Sequence, residues 1–172
     1  MRLITIIILP LLLMAACQST PKSDQSDNES LVESAAPPTN FKEALKLKTL
    51  DGAPIDLSTY GSKVLILNLW ATWCGPCIKE MPDLEEMEAE LGDDFVLLLA
   101  SDEGAAKINK FKEKRGFDLD FVQIDNSLES LGVYSLPTTF IVGTDGELVD
   151  TLIGAREWTA ANQITAIKSY LP

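Results

Sequence analysis

From Phe41 onward the chain alternates short apolar runs with amphipathic stretches. Leu45, Leu47 and Thr49/Leu50 precede Asp51-Gly52, which predicts a short strand and a turn. Ile55 and Leu57 continue as a second short strand, leading to a turn at Tyr60-Gly61. Val64 to Trp70 is nearly all apolar, the pattern of a strand buried on both faces. A helix should run from about Gly75 to Leu91 and end at Gly92, because Met81, Leu84, Met87 and Leu91 fall three or four apart. Pro82 should kink it. Phe95 to Ala100 reads as a second buried strand, Ala105 to Arg115 as a helix closed by Gly116, and Phe121 to Ile124 as another strand. Thr138–Val142 and Leu148–Ile153 form a hairpin around Thr144-Asp145-Gly146-Glu147, and a last helix spans about Glu157 to Leu171. The order βαβα followed by ββα predicts an α/β fold: a central mixed sheet covered on both faces, a three-layer sandwich.

The first 39 residues have another character. Arg2 precedes an apolar run from Leu3 to Ala16, too short to span about 30 Å of hydrocarbon and interrupted by Pro10. With Ala15 and Ala16 before Cys17, residues 1–16 read as an export signal with its cleavage site. Leu13-Met14-Ala15-Ala16-Cys17 also resembles a bacterial lipobox, which implies lipidation of Cys17; a plain secretory signal with an incidental cysteine is the alternative. Residues 18–39 hold five Ser, two Thr and three Pro, with Leu31 and Val32 the larger apolar residues. They read as a tether about 25 Å long on average. The expected organisation is signal peptide 1–16, lipidated cysteine and tether 17–39, and folded domain 40–172. Gln18 after the cysteine favours an outer membrane where the cell has one, by the rules of lipoprotein sorting.

Charge and composition narrow the chemistry. There are 26 acidic and 14 basic residues and no histidine. The net charge of −12 repels phosphate backbones and so argues against nucleic acid. Without the leader the balance is near −13, so a lipid rather than a basic patch would have to hold the protein on a membrane. The lack of histidine removes His triads and His metal sites, and the sequence has no Gly-rich phosphate loop. No cofactor and no metal are expected, and the protein is read as a monomer. Lys107, Lys110, Lys112, Lys114 and Arg115 form a solvated helix face or, alternatively, a partner contact.

The chemistry concentrates at Trp73-Cys74-Gly75-Pro76-Cys77, where the buried strand ends and a helix begins. Two intervening residues let both sulfurs meet. Orphan N–H groups and the helix dipole favour a thiolate there. Cys74 should be the exposed attacking thiol and Cys77, one turn in, the buried resolving one; Pro76 suits the first turn. A zinc site lacks two further ligands, and a structural disulfide closing so short a loop would remove little chain entropy.

Ala71-Thr72-Trp73-Cys74-Gly75-Pro76-Cys77 resembles the thioredoxin active site, and Leu136-Pro137-Thr138-Thr139-Phe140 resembles that family's cis-proline loop. Asn68, Cys74, Cys77, Glu80 and Pro82 match the exported, membrane-tethered TlpA/ResA-like subgroup, a resemblance covering residues 41–172. It implies a thioredoxin-like sandwich with an N-terminal β-hairpin extension and a βα insertion. It also implies a cis Leu136–Pro137 bond beside the cysteines. Substrate contacts are then expected at Trp73, Gly75, Pro76, Leu136 and Thr138. Pro137 could otherwise simply start an edge strand. Where thioredoxins carry a buried Asp this chain has Asn68, which cannot take a proton. Glu80, three residues after Cys77, is the candidate proton acceptor or, alternatively, an acid that complements the helix dipole.

The resulting expectation is an extracytoplasmic, lipid-anchored thiol–disulfide oxidoreductase acting on disulfide-bearing exported proteins, apocytochromes c among them. A membrane electron donor of the DsbD or CcdA type would reset it. A thioredoxin-fold holding module without turnover is the alternative. A peroxidase of the peroxiredoxin type fits less well, since it needs a lone attacking cysteine in a Thr-rich context.

Overall fold

The computed structural model describes residues 40–172. The expected signal peptide, Cys17 and the tether lie outside the described residues. One sheet has the strand order β1-β4-β3-β2-β5-β6, built from β1 Leu47–Lys48, β2 Val64–Leu69, β3 Phe95–Ser101, β4 Phe121–Ile124, β5 Thr138–Val142 and β6 Leu148–Ile153. The helices are α1 Phe41–Ala44, α2 Gly75–Leu91, α3 Ala105–Arg115 and α4 Ala161–Lys168. β2, β3 and β4 are parallel, whereas β5, β6 and β1 each run antiparallel to their neighbours. The sheet is therefore mixed, and the fold is a thioredoxin-like α/β sandwich. The segment α3–β4, with a 3₁₀ turn at Glu129–Leu131, is interposed between β3 and β5.

Central β2 is buried along its whole length, which is why it reads as an unbroken apolar run. Its alternating side chains divide the core. Val64 and Ile66, with Trp70 just beyond the strand, pack with α2, α3 and α4 through Leu84, Ile108 and Ile164. Leu65, Leu67 and Leu69 face the opposite layer with Leu45, Leu57 and Phe140. The three longer helices share one face, and α1 with the 3₁₀ turns covers the other. Trp70 is fully buried, its ring 4.8 Å from Phe111 and 5.2 Å from Phe121. α2 runs through Pro82 without ending, carrying Met81, Leu84, Met87 and Leu91 inward. The Asp145-Gly146 turn closes β5 onto β6, with the Gly143 N–H donating to Glu147 O at 2.9 Å and Gly146 at φ +88°.

Two elements differ from the reading. The return arm at Ile55 and Leu57 shrinks to a single bridge between Lys48 and Pro54, with the Ile55 N–H donating to Leu47 O. Proline has no N–H to extend the ladder. Asp56 then caps a 3₁₀ turn, Leu57–Tyr60, by accepting the Ser58 N–H at 2.9 Å. The last helix begins at Ala161 rather than Glu157. Trp158 is fully buried in the core and uses its indole N–H there, so the chain from Ala155 to Ala160 turns inward before a helix can start.

Candidate active site

β2 delivers the chain to the C-terminal end of the parallel strands, and Cys74 becomes the N-cap of α2. Its Sγ accepts the Cys77 N–H at 3.3 Å, an orphan donor of the first turn turned toward sulfur. Cys74 and Cys77 are joined as a disulfide with Cα atoms 5.3 Å apart. Cys74 is only 4% exposed against 1% for Cys77, so in the oxidised form both sulfurs are covered. The expected exposed attacker is thus a nearly covered one, because its sulfur turns toward the helix as cap and disulfide partner. Trp73 projects beside it, 72% exposed.

The Leu136–Pro137 bond is cis, and Pro137 is buried, its carbonyl accepting the Gly154 N–H at 2.9 Å. Among the described residues, the backbone N–H and C=O of Leu136 enter no backbone hydrogen bond. Thr138 turns inward, donating its hydroxyl to Ser135 O at 2.8 Å. Two recesses flank the cysteines. One, about 850 Å³, is lined by Trp73, Asp102, Glu129, Tyr134 and Leu136 among others. The other, about 620 Å³, is lined by Gly75, Pro76, Lys79, Glu80, Asp83 and Arg156 with their neighbours. The expected contact residues divide between them, with Thr138 in neither.

Glu80 is not a surface acid of the first turn. It lies in the second turn of α2, 3% exposed, and three donors meet its carboxylate. Asn68 Nδ2 donates to Oε1 at 3.0 Å, while the Arg156 N–H and Trp158 Nε1 each donate to Oε2 at 3.0 Å. Burial raises its pKa above the usual carboxylate range, against the opposing pull of these donors and the Arg156 charge. Asn68 also donates to Thr139 Oγ1 at 2.9 Å across the β2–β5 register.

The sequence alone points to none of Thr139, Arg156, Trp158 and Glu103 as site residues. Trp158 has the spacing of a helix-stripe residue, and Glu103 is one of many acids. Glu103 holds the approach to the cysteines: Oε2 accepts the Thr72 N–H at 2.6 Å and Oε1 the Thr72 hydroxyl at 3.0 Å, with Lys107 paired to it. Burial alone would raise the Glu103 carboxyl, yet the donors of Lys107 and Thr72 together hold it below its ordinary value.

A buried, disulfide-forming Cys-x-x-Cys pair at a helix N-terminus, beside a cis-proline, is a thiol–disulfide exchange site. The family model for Redoxin matches residues 31–167. The chain belongs to the Redoxin family. This redoxin is 31% identical over 157 residues to the thiol-disulfide oxidoreductase ResA of a Bacillus cereus strain, covering 89% of this chain and 88% of that one. ResA of Geobacillus thermodenitrificans is 32% identical with the same coverage. A ResA from another Bacillus cereus strain is 37% identical over 109 residues, 61% of this chain and 63% of that protein. Among solved structures, the pneumococcal exposed lipoprotein thioredoxin Etrx1 of Streptococcus pneumoniae superposes with a TM-score of 0.60 at 30% identity, covering 72% of this chain and 97% of that one. StoA of Bacillus subtilis shares the fold, with a TM-score of 0.56 at 22% identity over 73% of this chain and 93% of StoA. This redoxin is a TlpA/ResA-like member of the thioredoxin superfamily and a thiol–disulfide oxidoreductase.

Proposed function

We propose that this redoxin is an exported, membrane-tethered reductant of disulfides in other exported proteins. The observation that carries the reading is the Cys74–Cys77 pair capping α2 with the buried, donor-held carboxylate of Glu80 three residues further along that helix. In the reduced enzyme Cys74 is the nucleophile. Its thiolate, favoured by the helix N-terminus, attacks one sulfur of a substrate disulfide and expels the other as a thiolate. Cys77 then loses its proton to Glu80 and attacks Cys74. The mixed disulfide breaks, Cys74–Cys77 forms, and the second substrate sulfur leaves with the bonding pair. Glu80 is the proton acceptor because Asn68 stands where a titratable Asp would serve.

Pro137 and the unpaired backbone of Leu136 present an edge along which an extended substrate segment can lie, with Trp73, Gly75 and Pro76 bordering it. The lipobox-like end at Cys17 and the tether support membrane attachment, and the similar pneumococcal chain is itself named an exposed lipoprotein. No helix among the described residues is long and apolar enough to cross a membrane. The tether in this reading is the acylated Cys17. A membrane dithiol carrier of the DsbD or CcdA type resets the pair. The Cys-x-x-Cys-His haem site of apocytochromes c is a client whose chemistry suits this dithiol.

The test is equilibration of the purified protein in graded dithiol/disulfide buffers. A Cys74–Cys77 potential near or below about −250 mV is expected for a reductant. A value near about −120 mV overturns the reductive direction and points to an oxidase or isomerase. A pair that never titrates reversibly leaves a holding module as the better account.

A further inference from the structure

Asn68 is 1% exposed, yet its Oδ1 has no hydrogen-bond partner, the one unpartnered buried side-chain acceptor among the described residues. Both protons of its Nδ2 are used, toward Glu80 Oε1 and Thr139 Oγ1. The Thr139 hydroxyl, 2% exposed, accepts from Asn68 and donates to nothing among the described residues. A buried cluster with one idle acceptor and one idle donor is under-used in this arrangement, and native interiors rarely leave such capacity unfilled. With Glu80 ionised the amide orientation is dictated, because the reverse would aim Oδ1 at a carboxylate.

We propose that Asn68 and Thr139 are positioning residues for the proton step, the Asn68 amide turning over when Glu80 takes the proton of Cys77. The proposal rests on Glu80 being the proton acceptor. Of the two carboxylate oxygens, Oε2 already receives two donors and Oε1 one, so the proton goes to Oε1. A buried O–H then faces the N–H of Asn68, donor against donor. Rotating the amide by half a turn presents Oδ1 to both neighbours: the Glu80 O–H donates to it and the Thr139 hydroxyl swings round to donate as well. In this state Oδ1 accepts two hydrogen bonds and the Thr139 hydroxyl proton is used, while the two Nδ2 protons turn to the side that Oδ1 occupied. The chemistry balances. Cys77 Sγ–H gives its proton to Oε1, the Cys77 thiolate forms the bond to Cys74, and the substrate sulfur departs as a thiolate. The amide then returns as Glu80 releases the proton to that sulfur or to water.

Thr139 is a cross-strand partner of Asn68 and lies two residues beyond Pro137, so the protonation state of Glu80 is relayed to the start of β5, beside the loop that receives substrate. The charged groups lining the Glu80 cavity are Lys79 and Asp83 of α2 and Arg156 and Glu157 of the loop before α4. β2 and β5 contribute the uncharged Asn68 and Thr139 to the cluster.

The experiment follows the Asn68 side-chain amide and the Glu80 carboxyl carbon by NMR through a pH titration of the reduced protein. The expected result is that both amide resonances move with the midpoint of the carboxyl carbon. In Glu80→Gln they should stay still. Thr139→Ser should keep the displacement, and Thr139→Val should diminish it. A carboxyl that titrates while the Asn68 amide stays flat overturns this inference and leaves Glu80 as proton acceptor intact. If Glu80→Gln instead leaves the pH profile of mixed-disulfide resolution unmoved, the acceptor reading itself fails and the relay falls with it.

Discussion

Replacing Trp158 by Phe isolates one of the three donors on Glu80. Phe keeps an aromatic ring in a fully buried site and deletes the indole N–H that reaches Oε2 at 3.0 Å. Two effects follow, and pH separates them. Loss of ring volume costs stability at every pH. Loss of the N–H matters mainly while Glu80 is ionised, since a hydrogen bond to a charged group is worth about 1.5–3 kcal/mol. The Arg156 N–H still serves the same oxygen, so the lower end of that range applies. About 1.4 kcal/mol corresponds to one pKa unit, and the Glu80 carboxyl, already raised by burial, should rise by about one unit more. A carboxyl whose folded pKa lies above its unfolded value weakens the fold once ionised, and that penalty disappears as pH falls through the folded pKa toward the unfolded one. The stability deficit of the Phe variant in urea unfolding should therefore be larger at pH 8 than at pH 4, by roughly 1.4 kcal/mol. In stopped-flow traces, the pH profile of mixed-disulfide resolution should move up by about one unit. A deficit equal at both pH values, with an unmoved profile, would refute the role given to the indole.

Cys77→Ser should stop turnover and accumulate covalent adducts through Cys74, read on non-reducing gels; a variant that keeps turning over shows that Cys77 is not the resolving thiol. Glu88 is pushed up to about 6, first by burial and then by Asp120, Asp118 and Glu85. Its ionised form therefore destabilises the fold above that pH. Glu88→Gln should raise stability at pH 7–8 by on the order of 1 kcal/mol, once screening at this half-buried site is allowed for. The gain should fade as pH falls through about 6 toward the unfolded value of about 4.3, and thermal unfolding across pH checks it.

The local elements were readable wherever a short-range rule governs them. A continuous apolar run marks β2, three-and-four spacing marks α2, and Asp145-Gly146 marks the β5–β6 turn. The cysteine pair at the strand–helix junction carried the chemistry for the same reason: its two sulfurs, its cap and its helix lie within one contiguous stretch. What surrounds Glu80 depends instead on contacts across 12, 76 and 78 residues, and the Asn68–Thr139 bond spans 71. Periodicity makes Trp158 the first turn of a helix, but tertiary packing places it in the core and delays α4 to Ala161. Pro54 and the Asp56 cap likewise turn an expected strand into a bridge and a 3₁₀ turn. The sequence by itself determined which residues can exchange disulfides, because that chemistry needs only neighbours along the chain. Whether Glu80 sits in water or in a socket of three donors was decided by the sheet and the loop before α4, which bring distant donors to one buried carboxylate.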